Sequence, residues 1–174
     1  MKKYLIILLC VLLCGCVSTK KIRNQSLGVA KFDIEKFNGN YANKGDTANF
    51  GILFSKLHPK NIFHSNKIYP TNEAIINLKF DGKKTLTVTT IDNNSVLSEK
   101  KLKGKIKNNY FSVRRKLLFI PIPFIFYIHQ ENKILLGNDK NGNLIVKDGF
   151  YNTIFILMIG GNDGISQSQH KKSP

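Results

Sequence analysis

The chain has 174 residues, with 27 lysines and arginines against 11 acidic residues, a formal charge of +16 and only three cysteines. That length suits one core. Cys10, Cys14 and Cys16 all lie at the N-terminal end, which excludes a disulfide framework or a thiolate metal site from the body of the protein. The basic surplus fits an anionic partner or simply a lysine- and asparagine-rich soluble surface. No zinc-finger spacing, aromatic ribonucleoprotein motif or continuous basic helix accompanies it, so nucleic acid is not an expected partner.

Lys2 and Lys3 precede an apolar run from Tyr4 to Leu13 that is too short for a stable membrane span. The run ends in Leu13-Cys14-Gly15-Cys16. Residues 1–15 resemble a bacterial lipoprotein signal peptide, with an ordinary secretory signal or a retained anchor as the plainer alternatives. The resemblance implies that diacylglycerol is attached to the Cys16 thiol, the chain is cut before it, and the new amine is acylated. Several acyl chains of the palmitate class give stable membrane anchoring where one gives only marginal binding. Val17-Ser18-Thr19 lack the aspartate of inner-membrane retention, which implies the outer membrane. Lys20, Lys21 and Arg23 replace the acidic cluster of surface-displayed Bacteroidetes lipoproteins, which favours a periplasm-facing position in the cell envelope.

Polar residues 16–31 read as a flexible tether and 32–160 as the domain, while the polar stretch 161–174 is expected to be a disordered tail. Within the domain, Phe50, Leu53, Phe54 and Leu57 recur at helical spacing before His58-Pro59, predicting one helix over about 47–57 that Asp46 or Thr47 would cap. Short β-branched runs separated by turn signals follow. Ala74–Phe80 and Thr85–Thr89 flank Asp81-Gly82, and Asp92 to Ser95 turns into a strand running to Ile106 with Lys103, Lys105 and Lys107 on its wet face. Asn108-Asn109 returns the chain through Phe111, Val113, Arg115 and Leu117, and Asn141-Gly142 joins Ile134–Leu136 to Leu144–Val146. Eight or nine strands of this kind predict an all-β antiparallel meander, forming a small barrel or strongly curved sheet with one short helix. Leu117 to Ile128 is apolar on both faces and carries Pro121 and Pro123, whose missing N–H groups fall on one strand edge and predict a neighbour that is absent or locally unpaired on that side. Ile154 to Ile159 is likewise apolar on both faces.

His58, His64, His129 and His170 lack the spacing of a metal motif, and His129 with Glu131 is the nearest His and carboxylate pair. Neither a catalytic site nor a cofactor is expected, and the protein reads as non-enzymatic. The strongest polar constellation is basic: Lys101, Lys103, Lys105, Lys107, Arg114, Arg115 and Lys116. Two adjacent strands would concentrate it into a candidate anion-binding face, with a solvated exterior as the plainer reading. Asp46-Thr47-Ala48 resembles a short O-glycosylation acceptor, a role the helix cap explains equally well.

The succession Phe37-Asn38-Gly39-Asn40-Tyr41, Gly104-Lys105-Ile106, Tyr110-Phe111-Ser112, Pro121-Ile122-Pro123 and Leu144-Ile145-Val146 resembles uncharacterised outer-membrane lipoproteins of Bacteroidetes. The Asn38 to Tyr41 start followed by a meander is also loosely similar to the calycins, the lipocalin superfamily, with Tyr41 in place of the usual tryptophan. The first group lends no known activity, and the chain itself reads as a membrane-anchored envelope binding or support module working through a protein partner, an anionic lipid or a glycan. The second implies a lipocalin-like carrier of a small apolar or lipid ligand, with Phe111, Val113 and Ile134 lining the interior.

Overall fold

Asparagine pairs set two of the hairpins. Asn93 and Asn94 have φ of 49° and 60°, and Asn108 and Asn109 have φ of 52° and 66°. Both positive values make each pair a two-residue turn whose twist matches that of the flanking strands. In this computed structural model, which describes residues 19–24, 27–46, 52–58, 69–114, 116–122, 126–156 and 161–173, the chain forms an all-β antiparallel sheet with a few short helices. The helices are α1 (Thr19–Arg23), α2 (Ile34–Phe37) and α3 (Leu53–Leu57). The strands are β1 (Gly39–Ala42), β2 (Ile75–Phe80), β3 (Thr85–Asp92), β4 (Ser95–Lys107), β5 (Tyr110–Val113), β6 (Lys116–Ile122), β7 (Phe126–Asn138), β8 (Leu144–Ile156), β9 (Gly161–His170) and β10 (Lys172–Ser173). Cys16, Thr47, Ala48, His64, Arg115 and Pro123 lie outside the described residues.

Nine strands follow one hydrogen-bonded path, β10-β1-β2-β3-β4-β5-β7-β8-β9, and β6 pairs with β7 off that path. The sheet curls strongly without closing. Its two ends, β9 and β10, are successive segments of one chain joined through Lys171, whose carbonyl accepts from the Ala42 N–H at 3.0 Å. The meander breaks once: β5 and β6 share one edge of β7, β5 at Leu135 and Leu136 and β6 from Phe126 to Asn132, while β8 occupies the other edge throughout.

The inward faces make one apolar cluster. Ile76, Leu78 and Phe80 of β2, Leu86 and Val88 of β3, and Leu136, Leu144 and Val146 are buried in it with Phe37, Tyr41 and Phe111. Phe111 lies 5.1 Å from Phe80 and 6.3 Å from Phe37, centroid to centroid, in the tilted and edge-on geometries that ring quadrupoles favour. Gly104 makes this possible, because a Cβ there would meet both the Phe111 ring and the Ser112 carbonyl at 2.5 Å. We expect Gly104→Ala to cost about 2 kcal/mol through overpacking, read as a lower denaturation midpoint at unchanged slope.

Three expectations need correction. The helix starts at Leu53, and Asn43 caps it from a distance: its backbone carbonyl accepts from the Leu53 N–H and its Oδ1 from the Phe54 N–H, both at 2.9 Å. Asp46 pairs instead with Gln169, accepting from its N–H at 2.9 Å. Leu53, Phe54 and Leu57 join the inner cluster, so α3 plugs the sheet from within. Secondly, residues 161–173 are strand rather than disordered tail. Their polar composition hid an ordered backbone that pairs with β8 from Leu144↔His170 to Thr153↔Gly161 and returns to β1. Thirdly, part of the expected tether is a docked helix, α1, with Ile22 fully buried against Tyr110 and Leu135.

Candidate functional site

Alternation along β4 separates its two faces. Leu102 enters the core, while Lys101, Lys103, Lys105 and Lys107 are exposed on the outer face. Lys105 is paired with Ser112 and Lys107 with Tyr110. The Arg114 N–H donates to the Lys103 carbonyl at 2.6 Å, and Arg114 is exposed beside it. On the other side, Lys101 and Lys103 face Thr87 and Thr85 of β3, which add no charge. No ion pair among the described residues neutralises these five groups. The predicted basic constellation is thus assembled from β4 and the end of β5. Lys116 begins β6, whose register sets it opposite Asn132 of β7 rather than on β4.

Next to this column sits α1. The Ile22 side chain packs on Tyr110 and Leu135, and Lys147 of β8, itself buried, donates to the Arg23 carbonyl at 3.0 Å. A lysine on the last helical carbonyls satisfies an acceptor that the helix end leaves open. The Lys147 ammonium also lies 5.6 Å from the centre of the Tyr110 ring. Burial pushes the Lys147 pKa down and the Tyr110 pKa up, the nearby Arg23 charge opposing the latter. Sequence reasoning missed this dock. Its only signal is one isoleucine among polar residues.

A second apolar stretch runs along the far halves of β7 and β8. Register aligns Ile122, Phe126 and Ile156 in one row, Pro121, Tyr127 and Phe155 in the next, and Ile120, Ile128 and Ile154 in the third. Among the described residues β6 has a strand partner on one side only, as Pro121 predicts. Glu131 is buried and its Oε1 lies 2.9 Å from the Lys133 ammonium, while His129 stands opposite Phe119 and Thr153 in the register.

The remaining polar groups are structural. Tyr41 is fully buried, its hydroxyl reaching the Phe37 carbonyl at 2.8 Å and accepting from Asn138 Nδ2 at 3.0 Å. His58 stacks on Phe54 at 4.3 Å. His170 is fully buried with Nδ1 3.0 Å from the Ala42 carbonyl and Nε2 3.0 Å from Ser168 Oγ. Lys56 bridges Asp148 at 2.6 Å and Ser166 at 2.9 Å, tying α3 to β8 and β9. An open cleft of about 640 Å³ beside Tyr41 is lined by Lys31, Lys36 and Lys140 as well as Asp33 and Asp139. Its charges are of mixed sign, and both carboxylates already hold the backbone N–H groups of α2 and of the 139–143 loop. Among the described residues no three His, Cys, Asp or Glu side chains gather as metal ligands. No family model, curated protein or solved structure matches the chain.

Proposed function

We propose that the protein is a lipoprotein anchored through Cys16 to the periplasm-facing leaflet of an outer membrane, and that it serves there as a non-enzymatic binding or support module for a protein partner. The observation that carries the partner is β6: an apolar strand of Lys116–Ile122, paired on β7 alone among the described residues. An edge strand offers a row of backbone donors and acceptors to an extended segment of a second chain. A lipocalin-like carrier would need interior volume where Phe37, Phe80 and Phe111 pack, which weighs toward work done on the outside.

Photo-crosslinking from position 118 in envelope-bearing cells tests the partner. A discrete adduct with one polypeptide is expected, re-forming from the two purified components and absent when the crosslinker sits at exposed Asn93 in the β3–β4 turn. Crosslinks only to lipid, or the same adducts from both positions, would reject the β6 interface.

A further inference from the structure

We infer that the outer face of β4 docks on an anionic, phosphate-bearing membrane surface, and that α1 holds it there. Lys101, Lys103, Lys105, Lys107 and Arg114 form one exposed column without a carboxylate partner among the described residues. At about 3.3 Å per residue the lysines span about 20 Å along the strand. The column adjoins the seat of α1, since Lys107 is paired with Tyr110, against which Ile22 is buried. Exposed Lys20 and Lys21 extend the same charge.

Chain length supplies the occupant. Cys16 precedes the first residue of α1, Thr19, by three positions, which reach at most about 11 Å even when fully extended. A lipidated Cys16 therefore keeps α1, and the lysine column beside it, close to the headgroups. Counterions screen exposed charges over about 8 Å at physiological ionic strength, a distance comparable to the reach of this tether, so the column feels the surface when the tether draws it in. The orientation rests on the Cys16 anchor proposed above; the affinity of the face for anionic lipid does not.

The test uses two full-length chains that both carry Cys16→Ser, one of them also Lys103→Gln, Lys105→Gln and Lys107→Gln. Neither can be acylated at Cys16, so palmitate labelling of the unsubstituted chain examines the anchor separately. Partitioning is measured into phosphatidylcholine vesicles with and without phosphatidylglycerol, at low and physiological salt. Each lysine near such a surface contributes about fivefold in partitioning, so the triple variant should lose about a hundredfold of its preference for the anionic vesicles. The parent's preference should weaken as salt rises. Equal partitioning of the two chains, or a parent indifferent to phosphatidylglycerol, overturns the inference. So does binding to heparin through these lysines without any vesicle preference, which would assign the face to acidic glycans.

Discussion

Phe111→Ala is expected to destabilise the fold by about 4 kcal/mol, within the range for deleting a buried phenylalanine. The ring is fully buried between Phe37 and Phe80, and it crosses the position that Gly104 leaves open. Its removal strips contacts from β2, β4 and α2 at once. Chemical denaturation of both chains under identical conditions reads the difference. The result also separates the two functional readings. A filled interior predicts the full loss, whereas an interior built to be vacated for an apolar ligand would lose under about 1 kcal/mol, because the site would already tolerate missing contacts.

The second large effect is acid sensitivity centred on His170. Burial pushes its pKa from 6.5 down to about 4, with the Lys56 charge adding to the depression and the Ala42 hydrogen bond and Asp46 opposing it. One neutral tautomer satisfies both contacts, Nδ1–H donating to Ala42 and Nε2 accepting from Ser168. Above pH 6.5 folded and unfolded chains are both neutral at this residue. Between pH 6.5 and about 4 only the unfolded chain takes up the proton, so stability falls across that window and levels off below it. At about 1.4 kcal/mol per pH unit the loss is about 3 kcal/mol. His170→Asn, which retains a donor for Ala42, should flatten that part of the stability profile. An unchanged slope between pH 6.5 and 4 would contradict it. The carboxylates of Asp81 and Asp92, held low by backbone N–H groups of Lys83, Lys84, Thr85 and Thr71, release their stabilisation only at lower pH.

The hairpins were legible because their turns are local. Asn93-Asn94 and Asn108-Asn109 announce positive φ, and β-branched alternation on either side fixes which residues face inward, so β2 to β5 follow from the chain directly. Pro121 likewise announced an edge, since a missing donor is a property of the residue itself. What stayed hidden depends on partners distant in sequence. The Gly161–His170 strand has hardly any apolar residues because its order comes from backbone pairing with β8 and from small polar contacts such as Ser168 to His170. Asn43 could not be read as the cap of α3, which begins ten residues later and is reached only through the fold. The lysine column was visible as composition, yet its place beside α1 required the register of β4 on β5 and the docking of Ile22. Lys116 was expected on a strand paired with β4, and nothing local records that β6 keeps β7 as its partner without β4.

The anchor at Cys16 is the claim on which location and orientation both depend, and intact-mass spectrometry of the protein extracted from the envelope of its host addresses it most directly. The account predicts a chain that begins at Cys16 and carries the added mass of a diacylglyceryl group and an amide-linked acyl chain. An unmodified chain beginning at any residue, or one that keeps residues 1–15, would contradict it.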